Sequence, residues 1–314
     1  MTQAAGPAAT AEEAAATPAG RPLEGILWMA VTGMCFVMVT ALVKTLGGRI
    51  PAAESAFLRY LLGLVFLVPA WRQLAALRLT RREGGLFALR GVFHTAAVIC
   101  WFYAMTRIPL AEVTAMNYLN PVYVSILAVV FLGERMAARR ILAVCAALAG
   151  ALLILRPGVR TLDPGHIAML FTALFFAGSY LVMKILSGRH SAAVVVAMMS
   201  ITVTVGLAPF AIADWVTPGW GELALLFGVA CFATAGHYTM TRAFAAAPVT
   251  VTQPVTFLQL VWSVAIGALF FAEPPDPFVI AGGGLIIAAV TFITWREARA
   301  RRRQVMPPIH ATKY

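Results

Sequence analysis

The chain has 314 residues, 61% hydrophobic and only 12% charged, with a formal net charge of +11. Soluble domains carry roughly 25% charged residues, so an ordinary water-soluble fold is excluded and a membrane protein is indicated. The basic residues lie in short clusters between apolar runs, without interleaved aromatics; this argues against a nucleic-acid surface and fits loops that face anionic lipid.

Residues 1–23 are rich in Ala, Thr and Pro and lack the basic start and apolar core of a secretory signal, so they read as a disordered cytoplasmic tail. Ten apolar runs follow, each close to the roughly 20 residues that cross a bilayer as a helix. Spans 1 to 5 fall at 25–45, 52–71, 85–106, 111–132 and 138–156, and spans 6 to 10 at 165–187, 191–213, 221–243, 250–272 and 278–295. Residues 298–314 form a basic tail. Of the 24 Lys and Arg residues, 17 fall on the side of the termini, 5 on the other side and 2 within spans. The positive-inside rule therefore predicts a multi-pass protein of the cell inner membrane with both termini cytoplasmic. Cys35, Cys100, Cys145 and Cys231 all sit inside apolar runs and read as small buried hydrophobes.

The chain repeats itself. KTLGGR at Lys44–Arg49 recurs as KILSGR at Lys184–Arg189, an offset of 140 that also pairs Gly25 with Gly165 and Pro69 with Pro209. An offset of 139 pairs Pro109 with Pro248, Leu119 with Leu258, Val122 with Val261 and Glu134 with Glu273, so that FLGE after span 4 corresponds to FFAE after span 9. Five spans per repeat force the second copy to enter from the opposite side. The fold class expected is an all-α polytopic membrane protein of ten transmembrane helices arranged as two inverted five-helix repeats, at 24–157 and 164–297. Such repeats commonly place a substrate site near the midplane, where they meet.

Ten spans in two five-span repeats, a Pro within span 4 and FLGE closing it resemble the EamA type of the drug/metabolite transporter superfamily, over roughly residues 24–297. Arg59 resembles the arginine often found near the start of the family's second helix. The second copy departs from the pattern: Leu260 stands opposite Pro121, Pro254 lies earlier in its helix, and FLGE has become FFAE. The resemblance implies a carrier whose central cavity is lined by spans 3, 4, 8 and 9 with parts of 1, 2, 6 and 7.

Polar residues inside the spans supply the candidate substrate site. Charged groups at bilayer depth normally face protein or a cavity. Arg59 and Arg90 each lie only partway into their spans, so that snorkelling to the interface is equally open to them. Arg90, His94 and Trp101 share one helical face of span 3. In span 4, Asn117 and Asn120 adjoin Tyr118, and Pro121 frees a backbone carbonyl beside them, so the amides either brace the kink or contact substrate. Span 6 contributes Tyr180, and span 8 a Thr234–His237–Thr241 face with Tyr238 beside it. Span 9 contributes a stripe of Thr252, Thr256, Gln259 and Ser263, with Trp262 nearby. Glu134 and Glu273 read as structural groups bonded to loop backbone or to Arg139 and Arg140. No carboxylate lies at mid-bilayer, which disfavours Asp or Glu proton coupling and a cationic substrate, and leaves His94 and His237 as candidate proton carriers.

No metal-ligand spacing, cofactor motif, phosphate loop or hydrolase elbow is present. A secondary transporter of a small neutral, zwitterionic or anionic metabolite is therefore expected. Its partners would be a small-molecule substrate and the lipid bilayer, as a monomer or homodimer. A non-transporting scaffold or sensor is the alternative, but it would need neither polar stripes nor inverted repeats.

Overall fold

A computed structural model describes residues 21–305 except 133–137, 160, 188 and 248. The two chain ends, Gly133 and Glu134 of the FLGE ending, and the side chain of Lys184 lie outside the described residues.

The described chain is helical throughout: α1 (Pro22–Leu46), α2 (Ala52–Gly63), a 3₁₀ segment (Leu64–Ala70) with α3 (Trp71–Ala75), α4 (Arg81–Met105), α5 (Leu110–Asn117), α6 (Asn120–Leu132), α7 (Ala138–Leu155), α8 (Pro164–Ser187), α9 (Ala192–Ala213), α10 (Trp220–Ala246), α11 (Val249–Thr252), a second 3₁₀ segment (Gln253–Thr256), α12 (Phe257–Phe271) and α13 (Pro277–Val305). Eight helices among these residues are long and apolar enough to cross a bilayer alone. The second and fourth predicted spans occupy their expected places as broken helices.

Local chemistry accounts for the boundaries. α4 starts at Arg81, four residues before the predicted span, because Thr80 and Glu83 form a reciprocal capping box. In span 4 the helix tightens between α5 and α6, with Tyr118 N–H donating to Ala115 O at 3.2 Å and Leu119 N–H to Met116 O at 3.0 Å. Pro121 provides no N–H for the carbonyl of Asn117, which favours a break there. In span 9 Pro254 lies within a 3₁₀ turn, earlier in the helix than the break in span 4. Pro209 leaves α9 continuous, whereas span 2 becomes 3₁₀ around the matched Pro69. α13 extends to Val305, ten residues past the predicted end of span 10, because Ala, Glu and Arg favour helix beyond the bilayer.

The packing is symmetric under exchange of the repeats. α1 packs on α10 as α4 packs on α8; α4 on α9 as α10 on α2; α6 on α8 as α12 on α1. The pairs α2–α9, α5–α12 and α7–α13 map onto themselves. A pseudo-two-fold axis in the membrane plane produces this pattern. The matched glycines share an environment: a Cβ at Gly25 would lie 2.4 Å from Ala247 Cβ, and one at Gly165 would lie 2.9 Å from Ile108. Ala247 and Ile108 are themselves related by the 139-residue offset. At the α7–α13 crossing a Cβ on Gly150 would stand 2.7 Å from Gly282 O, so the backbones touch directly, as small residues allow between membrane helices.

Large apolar side chains cover the outside, including Val92, Ile212, Leu269 and Phe270. In water such a surface would aggregate; in a bilayer it meets lipid. Cys145 belongs to this exterior, a correction to its reading as a buried hydrophobe, since its side of α7 faces away from α13.

Candidate functional site

The middle of the bundle contains a polar cluster drawn from both repeats. α4 has 25 residues, and His94 lies one past its midpoint. Its ring is held on both sides, with Nδ1 3.2 Å from Ser179 Oγ on α8 and Nε2 3.0 Å from Tyr60 Oη on α2. The ring of Phe176 packs against it at 4.9 Å, and Phe176 in turn contacts Trp101 and stacks on Tyr180. The face of α4 read from the sequence thus becomes the wall of an aromatic row between α4 and α8.

Arg90, one turn from His94, is only 3% exposed. It does not snorkel. One guanidinium nitrogen donates to Val195 O at 2.7 Å and another lies 3.2 Å from Met199 Sδ, both on α9, while Nε has no hydrogen-bond partner. The buried carbonyl and thioether accommodate part of the guanidinium but carry no negative charge.

Arg59 is half-buried on α2, its Cζ 4.0 Å from the centre of the Tyr60 ring. Both residues line a cavity of about 120 Å³ between α2, α9 and α10, together with Met199, Ser200, Thr234 and His237. One wall comes from the first repeat and two from the second. The cavity reaches from mid-bilayer into the half nearer the chain termini. His237 contacts the ring of Phe36 on α1 at 5.3 Å.

The amide group of span 4 forms a second locus. Tyr118 Oη donates to Thr256 O at 2.7 Å, satisfying a carbonyl in the 3₁₀ break of span 9. The two broken spans therefore support each other. Asn117 Oδ1 and Asn120 Oδ1 are buried without a hydrogen-bond partner, as is Trp101 Nε1. Neither amide oxygen braces the kink; both remain acceptors. The polar stripe of span 9 is partly structural, since Ser263 bonds Thr114 at 2.6 Å. Gln259 and Trp262 pack against Gly33 of α1. Tyr238 does not join either locus. One helical step of 100° from His237 turns it outward, where it is 57% exposed and accepts a bond from Arg242.

Tyr60, Ser179 and Ser200 were missed by sequence reading. None belongs to a recognisable motif, and only helix packing brings each beside the arginines and histidines of other helices.

At the face opposite the termini the helix ends are tied together. Lys44 Nζ lies 2.5 Å from Glu273 and donates to Ile108 O at 2.8 Å; Leu110 N–H donates to Glu273 at 2.9 Å. Of the two expected partners Glu273 takes the backbone, at the start of α5, and its cation is Lys44 in place of Arg139 or Arg140. Arg49 pairs with Glu222, Arg156 with Asp276, and Glu112 with His166. A cavity of about 230 Å³ opens among these ties, lined by Glu112, Glu273 and Asp276. Each of its carboxylates already has a basic partner, so it lacks the unmatched charge of the central site. No group of three or more His, Cys, Asp or Glu able to hold a metal occurs among the described residues.

The EamA-like transporter family matches the chain twice, at residues 23–156 and 163–295. The chain belongs to that family. Its curated relatives include the pseudopaline exporter CntI of Pseudomonas aeruginosa strain UCBPP-PA14, 30% identical over 84% of this chain and 94% of the relative. The S-adenosylmethionine uptake transporter of Rickettsia prowazekii is 27% identical over 88% of this chain and 95% of its own. The riboflavin transporter of Rhizobium johnstonii is 27% identical over 90% and 95%. A solved crystal structure superposes with a TM-score of 0.56 at 17% identity, covering 89% of this chain and 96% of that one, a likeness of fold. The EamA copies coincide with the two helix sets that packing relates by symmetry.

Proposed function

We propose that this chain is a secondary transporter that moves a small organic metabolite across the bacterial inner membrane by alternating access, with both termini cytoplasmic and no catalytic activity of its own. The observation that carries this reading is the central cavity, which lies between the two repeats and brings Arg59, Tyr60, Ser200, Thr234 and His237 together at bilayer depth. The relatives named for pseudopaline export and for S-adenosylmethionine and riboflavin uptake support a metabolite as cargo. The excess of Lys and Arg beside the termini supports the orientation.

In this reading the repeats rock about the midplane site. Arg59, Tyr60 and His237 meet the cargo's polar part, held in register by the Ser179–His94–Tyr60 chain. Trp101 Nε1 and the Asn117 and Asn120 oxygens supply unspent hydrogen-bonding groups. Tyr118, Gln259 and Trp262 hold the surrounding helices.

Purified protein in liposomes, loaded in turn with members of a broad metabolite panel, is expected to show counterflow of the corresponding labelled compound for at least one member. Liposomes that exchange no member of the panel overturn the reading.

A further inference from the structure

Two guanidinium groups lie at bilayer depth in this protein with no carboxylate beside them among the described residues. Glu54 accepts from Val216 N–H, Glu112 bonds His166, Glu222 bonds Arg49, Glu273 bonds Lys44 and Asp276 bonds Arg156. None of these acids lies against Arg59 or Arg90. Withdrawing a guanidinium from water is unfavourable unless a counter-charge or a full set of acceptors compensates it. Arg90 has a carbonyl and a thioether, and its Nε is unpartnered. Arg59 lies over Tyr60, its Cζ 4.0 Å from the ring centre, a cation–π contact that supplies no counter-charge.

We infer that the cavity beside Arg59 is the binding site for an oxyanion of the cargo, a carboxylate or a phosphate, and that Arg90 strengthens the positive potential from behind Met199. This rests on the transporter reading and narrows its cargo to compounds bearing an ionised acid group. The flat, five-donor guanidinium fork matches two oxygens of such a group. Tyr60, Ser200, Thr234 and His237 around the same space can complete its hydrogen bonds. At about 120 Å³ the cavity is smaller than the roughly 300–1,000 Å³ of a whole-ligand pocket, so it accepts one functional group of the cargo. The larger cavity at the opposite face has no such charge to offer, because its carboxylates are already paired.

The test compares cells and medium by untargeted mass spectrometry, with and without the expressed protein and with Arg59→Gln and Arg59→Lys. Metabolites redistributed by the unaltered protein are expected to carry a carboxylate or phosphate ionised at neutral pH, and their identity separates those two sources. The redistribution should fall by about tenfold or more in Arg59→Gln, at matched amounts in the membrane fraction, and be partly retained in Arg59→Lys. Redistributed metabolites without an acid group, or undiminished redistribution by membrane-inserted Arg59→Gln, overturn the acid site and leave transport standing. Should Arg59→Gln fail to reach the membrane, the identity of the unaltered protein's cargo still decides. If no metabolite is redistributed at all, the transporter reading falls and the acid site with it.

Discussion

Ala272 shows what the repeated ending does. It closes α12 in the left-handed region, with φ of 53°, and its N–H and that of Glu273 both turn back onto Gly267 O. This turn aims the Glu273 carboxylate inward, toward Lys44 and Leu110. In FLGE the corresponding position is Gly133, the residue that adopts such a conformation without steric cost. Alanine there costs about 1–2 kcal/mol, and a β-branched residue more. Ala272→Val is therefore expected to lower the thermal unfolding midpoint in detergent, while Ala272→Gly holds or raises it. Equal midpoints for the two variants would show that the turn is not under this constraint.

Among the helices, two of the three crossings that map onto themselves, α7–α13 and α5–α12, respond differently to mutation. At α7–α13, Gly282 has Gly150 O where a Cβ would be, 2.5 Å away, and a backbone carbonyl cannot move aside as a side chain can. Gly282→Val should cost towards the upper end of the about 1–3 kcal/mol typical of overpacking, and reduce the yield of monodisperse protein on gel filtration. At the broken spans one tie is the hydrogen bond from Tyr118 Oη to Thr256 O at 2.7 Å. Tyr118→Phe, which removes this bond between spans, should cost about 0.5–1.5 kcal/mol, read as a lowered unfolding midpoint with the helical circular dichroism unchanged. The break in span 4 was legible from Asn-Pro, because proline's missing donor acts locally. Its partner was not, because a carbonyl 138 residues away enters only through packing.

For the molecule as a whole, the central cavity and the tied face opposite the termini would correspond, under the alternating access proposed above, to one state of the cycle. Lys44, Pro109 and Glu273 were visible in the sequence as sparse markers of the repeat. In the fold they meet: Pro109 caps α5, whose first N–H bonds Glu273, and Glu273 pairs with Lys44. Neutralising the pair should favour opening of that face. With the four native cysteines replaced, a cysteine introduced at Val264, in the wall of the cavity there, should react with a membrane-impermeant maleimide several-fold faster in Lys44→Met or Glu273→Gln. Unchanged labelling in both variants would show that this contact does not hold the face shut.

The sequence by itself determined the membrane environment, the two five-span copies and most of the polar residues at the centre. Hydropathy, periodicity and internal register are properties of consecutive residues, and a lipid environment translates them directly into helices. Only the tertiary structure decided which of those residues act together. Arg90 read as shallow and equally able to snorkel, yet α9 buries it; Tyr238 read as a neighbour of His237, yet the helical turn directs it outward. Tyr60 carried no signal in its own span and became the link between Arg59 and His94 through the packing of α2 on α4. Contacts between distant spans depend on how helices cross, and no local pattern encodes that crossing.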